Sequence, residues 1–415
     1  MHHAESLSLS LDPQTLYRLP WTLSDNAMTW LEPTRQCNIT CDACFHDNDP
    51  ESRKTLTQIE YELKSMLRLR RCDAMLIGGG EPLTHPDILE ITRLVKSFHV
   101  KPILITNGVG LELEQIRELK RAGIFGFTFH VDAHQTRPGW EGKSETELNA
   151  LRQHFAEMVH EVGGLSCAYN VTIFPDTLND VPAIVEWATQ NINKVNILTL
   201  IPVRLGHRDD PFDFYIGTKK IDLDDTPYVS DQKYTNLSAL DVYEQIRKVL
   251  PGYQFSSYLG GTALPHSPKW LLGSHIGSAT GSCGNMGAKS MEILQTIHHT
   301  FKGCYLAYTK PALNRKARLT LFFGVFDRSV RKAAAKYVRT VLRNPLKLFK
   351  RLYVQSISVV QPVDILATGE RDNCDGCPNK TFWQDRLVSA CQLEEYLYYG
   401  RPFSVVPHGE KVPER

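Results

Sequence analysis

The stretch CNITCDAC, residues 37–44, decides how this chain is read. It sets three soft thiolates, Cys37, Cys41 and Cys44, within eight residues in the pattern CxxxCxxC. Thiolates select zinc, copper(I) or iron–sulfur centres over hard cations. A structural zinc site closes with four protein ligands, and here the fourth would have to be His46 or something remote. A cubane cluster uses the loop differently: three irons take cysteines and the fourth is left for an exogenous ligand.

Downstream, MLIGGGEP at residues 75–82 runs a short apolar segment into three glycines. Consecutive glycines bring backbone close to a ligand, because no Cβ intervenes and positive φ is permitted. Together the two segments resemble the radical S-adenosylmethionine (SAM) superfamily, whose cluster loop follows the first strand and whose GGEP-type motif follows the second. The resemblance covers about residues 25–205. One departure concerns the residue before the third cysteine, often aromatic in the family and packed near the adenine. Here it is Ala43, and Phe45 comes one place later.

Strand and helix patterns alternate over the same region. Strands are expected at Thr29–Glu32, Ala74–Ile77, Pro102–Thr106, Phe127–Val131, Ser166–Ile173 and Val195–Pro202. Helices are expected at 55–71, 86–98, 112–122, 145–162 and 180–191, with a sixth at 241–250. In the third, Leu113, Ile116, Leu119 and Ala122 form one apolar stripe. Such βα units argue for α/β architecture with parallel strands and helices outside. The resemblance implies a partial (β/α)6 TIM-type barrel, open on one side. In closed barrels chemistry sits at the C-terminal ends of strands, where both motifs fall. The expected division is an N-terminal segment at 1–27, the barrel at 28–250 and a C-terminal extension at 251–415, with residues 206–235 as a loop or connection.

The resemblance implies that Cys37, Cys41 and Cys44 hold a [4Fe–4S] cluster and that SAM chelates the open iron. Backbone around Gly78, Gly79, Gly80 and Glu81 would support the methionine amino group. Asn107, in the T-N-G that ends the third strand, would bond the ribose or methionine, although Asn-Gly is also a plain turn signal. His130 and Asp132 share one face of the fourth strand's end. They resemble the polar pair that contacts SAM in relatives, with a structural His–Asp pair as the alternative. His134, Arg137 and Trp140 in the following loop would line the substrate opening, with Asn170 on the fifth strand and Arg204 after the sixth as pocket residues.

The second half carries Cys283, Cys304, Cys374, Cys377 and Cys391. Four of these five could hold one auxiliary [4Fe–4S] cluster, which resembles the SPASM and shorter Twitch extensions without matching the full SPASM spacing; zinc on the CxxC is the alternative. Cys72 and Cys167 sit in helix and strand patterns, where buried thiols are inert. From Arg328 to Arg351 there are nine basic residues and no acid. Val330, Ala334, Tyr337, Val338, Val341 and Leu342 recur there at helical spacing, ahead of Pro345. A basic amphipathic helix suits an anionic membrane surface, phosphates or an acidic peptide, or is simply an exposed helix. No nucleic-acid motif accompanies it, so nucleic acid is not expected.

Composition sets the remaining bounds. The 415 residues suffice for a large domain and an appendage. Hydrophobic content of 42%, charged content of 22% and a formal charge of +1 are ordinary. No apolar stretch reaches membrane-span length, and the first thirty residues lack a basic start followed by an apolar core, so no signal peptide is expected. Ten cysteines in such a chain favour a reducing compartment and metal binding. The expectation is a cytoplasmic enzyme, with peripheral membrane association open. A one-electron donor such as ferredoxin or flavodoxin would drive SAM cleavage to a 5′-deoxyadenosyl radical that takes hydrogen from a substrate C–H bond. Modification of a lipid or other apolar substrate, by C–C bond formation or methylation, is the first expectation. Peptide maturation is the alternative, and a non-catalytic metal scaffold the remote one.

Overall fold

The computed structural model describes residues 11–207, 209–222, 229–230 and 236–410. Its centre is a parallel sheet of β1 (Met28–Thr34), β2 (Ala74–Gly79), β3 (Lys101–Thr106), β4 (Gly126–His130), β5 (Ser166–Ile173) and β6 (Ile197–Pro202). Each strand pairs with the next in chain order. Between and after them run α1 (Leu56–Leu69), α2 (Ile88–Ser97), α3 (Leu113–Ala122), α4 (Glu145–Val162), α5 (Val181–Gln190) and α6 (Ala239–Val249). All six expected strands and helices form, with ends shifted by a few residues.

Local chemistry starts the helices. Thr55 and Gln58 make a capping box on α1, and Ser144 and Glu147 make another on α4. Ile59, Leu63 and Met66 then recur along one face of α1 and are fully buried. Strand alternation divides the core. Met75 and Ile77 of β2 pack with helix residues such as Ile59 and Leu63. Ala74 and Leu76 point the other way, to Leu19, Trp21 and Tyr308. Both sheet faces are thus covered, which explains the near-continuous apolar strands.

The sheet continues where the βα alternation in the sequence stops. β7 (Trp270–Ser278), β8 (Gly281–Asn285) and β9 (Tyr353–Val360) extend it. β9 lies parallel to β6, with Ser356 opposite Ile197, and β7 lies antiparallel to β9. Ser257–Leu259 and Tyr17–Arg18 finish that side. Among the described residues the sheet stays open, with β1 at one edge and Tyr17–Arg18 at the other.

Other expectations shift. Cys72 follows α1, which ends at Leu69, rather than lying within it. The expected connection at 206–235 contains strands. Phe212–Ile216 pairs with Lys219–Ile221 across Gly217 (φ +61°) and, on its other edge, with Ser404–Pro407. That second partner lies far downstream, so no local periodicity announces it. Residues 208, 223–228 and 231–235 of this connection lie outside the described residues. The extension also carries α7 (Ala288–Lys302), α8 (Arg328–Arg343) and α9 (Leu393–Tyr399). The basic run is helical as expected and stops before Pro345.

Candidate active site

The cysteine loop leaves the C-terminal end of β1 and is fastened by backbone bonds to the loop after β4. Thr40 N–H donates to Thr136 Oγ1 (2.8 Å), Thr136 N–H to Thr40 O (2.8 Å), and Asp42 N–H to His134 O (2.9 Å). Cys37 N–H donates to Asn48 Oδ1 (2.9 Å). Ala43 takes a left-handed φ of +58°, turning the chain just before Cys44. Cys37 and Cys41 are half-buried, and Cys44 is exposed as a residue while its sulfur is enclosed by neighbouring atoms. Burial pushes all three thiols up, Cys44 to about 11, and Asp132 and the neighbouring thiol add to the rise at Cys41. Holding them as thiolates therefore calls for a cationic partner.

Their spacing says which kind. Among the described residues, only Asp73, His298 and Cys304 bring three ligand atoms within 4.8 Å of one another. The three loop cysteines do not form such a group, and a cubane cluster, which takes one thiolate on each iron, does not require one. His46 does not close the set. Its ring stacks on Trp30 and its Nδ1 faces Glu32 (3.2 Å) and Glu394 (3.6 Å). The donor set thus fits a cluster better than a lone zinc.

The glycines do something the sequence reading did not anticipate. Gly80 N–H donates to Thr34 O (2.9 Å), and Glu81 N–H to Gln36 O (2.8 Å). A Cβ on Gly80 would lie 2.3 Å from Gln36 O, and one on Gly78 would lie 2.3 Å from the Trp30 ring. The close approach they permit is to the chain's own lead-in to Cys37. Glu81 is buried and accepts from Leu83 N–H (3.0 Å), Thr106 Oγ1 (2.8 Å) and Asn107 N–H (2.7 Å). Burial pushes its carboxyl up to about 7 against those bonds.

Asn107 reaches the loop directly, donating to Asn38 Oδ1 (2.7 Å) and standing 3.9 Å from Cys37 Sγ. His130 and Asp132 face each other, Nε2 to Oδ2 at 2.8 Å. Burial would raise the Asp132 carboxyl, but His130 and backbone bonds hold it below its ordinary value. Arg137 is buried rather than at an opening, donating to Asn107 O (2.6 Å) and His130 O (3.0 Å). It lies close enough to Cys41, Asp132 and Glu81 to raise its own pKa, although burial lowers it overall. His134 bridges Asp42 and Asp176 while stacked on Phe174. Trp140 packs on the core, and Arg204 is taken up by Asp364 (2.6 Å). Asn170 pairs through its backbone with Val131 (3.3 Å).

The five C-terminal cysteines do not gather as one group. Cys374, Cys377 and Cys391 lie together, with Cys374 hydrogen-bonded to Cys377. That bond and nearby Lys380 lower the Cys377 thiol to about 6, while burial pushes Cys391 up to about 12. Cys304 stands instead with Asp73 and His298. Cys283 lines a cavity of about 510 Å³ with His275, Lys332 and Lys336.

Arg70 and Glu394, which the sequence did not single out, tie these parts together with Phe45. Arg70, buried beyond α1, donates to Met28 O, Cys377 O and Pro378 O, each at 3.0 Å. Glu394 of α9 accepts from Arg35 (2.6 Å), two residues ahead of Cys37. Phe45, just past Cys44, lines a cavity of about 220 Å³ with Arg204, Phe214, Cys391 and Phe403, so one space runs from the residue after the cysteine loop to Cys391. Adjacency to cysteines was the available signal for Arg35, Phe45 and Glu394; nothing marked Arg70.

Residues 31–188 match the family model described as the Radical SAM superfamily. An AdoMet-dependent heme synthase of Methanosarcina barkeri is 23% identical over 198 residues, 46% of this chain and 54% of that protein. A probable GTP 3′,8-cyclase of Methanococcus maripaludis is 25% identical, covering 51% and 73%. A PqqA peptide cyclase of Methylorubrum populi is 26% identical, covering 38% and 42%. The chain spans about half the length of the first of these relatives. Of solved structures, Streptococcus suis SuiB bound to S-adenosylmethionine aligns with a TM-score of 0.39 and 14% identity, over 55% of this chain and 47% of that one.

Proposed function

We propose that this chain, which carries a radical SAM domain over residues 31–188, is an enzyme that abstracts hydrogen from a C–H bond of an apolar, lipid-like substrate. The observation that carries the chemistry is the three-cysteine loop, with Asn107 reaching Cys37 on one side and held by Glu81 on the other. When bound, the cluster and SAM supply reductive cleavage to methionine and a 5′-deoxyadenosyl radical. Cys37, Cys41 and Cys44 would hold the cluster. Gly78, Gly79 and Gly80 seat that loop against β2. Asn107 and the His130–Asp132 pair offer the polar atoms nearest to it for the cofactor. Cys374, Cys377 and Cys391 would hold an auxiliary [4Fe–4S] cluster, completed by a ligand from outside the cysteine set. A ferredoxin or flavodoxin would supply the electron, in the reducing cytoplasm that ten free cysteines favour.

The substrate class rests on the surface of the extension. From Lys310 to Arg351 there are thirteen basic residues, and the one acid, Asp327, is buried. Phe322, Phe326, Leu342, Leu346 and Phe349 stand exposed in the same stretch, Phe349 at 81%. Exposed aromatics and leucines among lysines and arginines suit an anionic bilayer surface. No helix of the described residues is long and apolar enough to cross a membrane. A peptide substrate is the second reading, favoured by the match to a PqqA peptide cyclase.

Anaerobically reconstituted protein with SAM and dithionite should release 5′-deoxyadenosine, and Cys41→Ala should not. Iron-loaded wild type that releases none overturns the enzymatic reading. The same protein should float with vesicles of phosphatidylcholine and phosphatidylglycerol at low salt and not with phosphatidylcholine alone. Failure to float with the anionic vesicles turns the substrate reading to a peptide.

A further inference from the structure

We propose that Asp73, His298 and Cys304 form a zinc site, separate from both cysteine groups. Their ligand atoms lie within 4.8 Å of one another. Two of the three, His298 and Asp73, are aimed by partners that occupy their other polar atoms. His298 Nδ1–H donates to the Cys304 carbonyl (2.9 Å), which leaves the Nε2 lone pair pointing at Asp73 Oδ1, 3.6 Å away. The other Asp73 oxygen accepts from Lys101 Nζ (2.6 Å) and from Ala307 N–H (3.0 Å). A histidine held at one nitrogen by a carbonyl, and a carboxylate held at one oxygen, are the outer contacts that orient metal ligands.

The spacing matches as well. A lone pair facing a carboxylate oxygen needs a proton or a cation between them, and 3.6 Å is long for a hydrogen bond. Two tetrahedral zinc ligands at about 2.0–2.1 Å from the metal stand about 3.4 Å apart. One thiolate, one imidazole and one carboxylate are a borderline donor set, which suits zinc and leaves a fourth position for water.

Position sets the role. Asp73 directly precedes β2, whereas Gly80 follows it, so the strand's length of roughly 20 Å separates this site from the cysteine loop. His298 lies near the C-terminal end of α7, and Cys304 follows that helix. The metal would staple α7 to the N-terminal end of the sheet, at a three-ligand site with no part in SAM cleavage.

Full-length protein purified anaerobically after growth with zinc should carry about one zinc per chain by mass spectrometry. His298→Ala and Cys304→Ser should each lower it several-fold while iron and 5′-deoxyadenosine release stay at wild-type levels. Zinc-edge X-ray absorption on the wild type, which needs no variant to fold, should show one sulfur with nitrogen and oxygen ligands. Zinc at trace level in iron-loaded wild type, zinc unchanged in both variants, or an all-sulfur shell would each overturn the proposal.

Discussion

Gly80 shows how narrow the tolerance at the cysteine loop is. Its missing Cβ is needed because Gln36 O and the Arg35 carbonyl carbon would lie 2.3 and 2.6 Å from it, and both are backbone. Neither can rotate away, so Gly80→Ala must push the lead-in to Cys37 off the end of β2. Overpacking of this kind costs about 1–3 kcal/mol. The expected result is a lower thermal midpoint and reduced iron loading after anaerobic reconstitution, both measurable on one preparation. The GGEP signal was legible in the sequence. What the glycines touch was not, because it depends on two strands brought side by side.

At the scale of elements, β7 carries a buried histidine in the middle of the sheet. His275 is 2% exposed, lies opposite Gln355 of β9 and Asn285 of β8, and faces Lys336 of α8. Burial, with Lys336 adding to it, lowers its pKa to about 4. The unfolded chain takes up a proton below about pH 6.5 while the folded one resists until about pH 4. This group therefore removes stability as pH falls through that window, up to about 3 kcal/mol, and does nothing above it. His275→Gln should flatten the pH dependence of urea unfolding between those limits and leave the slope above neutrality unchanged. The basic face of α8 was readable from residue types at helical spacing. The exposure of Phe322 and Phe349 beside it was not, since the same apolar residues could have been core.

Across the whole molecule, charge is buried where segments far downstream pack against the chain beyond β6. Lys269 is fully buried between Asp364 (2.5 Å) and Asp372 (3.0 Å), and Asp364 also holds Arg204 beyond β6. Removing one member leaves carboxylates buried without their cation, a loss of about 3–5 kcal/mol. Lys269→Met should lower the unfolding free energy by that amount, read as a lower urea midpoint, and expose residues 251–415 to protease first. If the variant unfolds like wild type, these contacts do not join the two regions.

Residue order alone determined the six βα units, the three-cysteine loop and the glycine segment after the second strand. Each is written in neighbouring residues through periodicity, capping or ligand spacing. Tertiary structure decided the rest. It set Cys374, Cys377 and Cys391 together and sent Cys304 to Asp73 and His298 at the other end of β2. It joined β9 to β6 and threaded Arg70 between β1 and the CxxC turn. These pairings unite segments hundreds of residues apart, and which thiols meet follows from strand order and packing, to which local composition is blind.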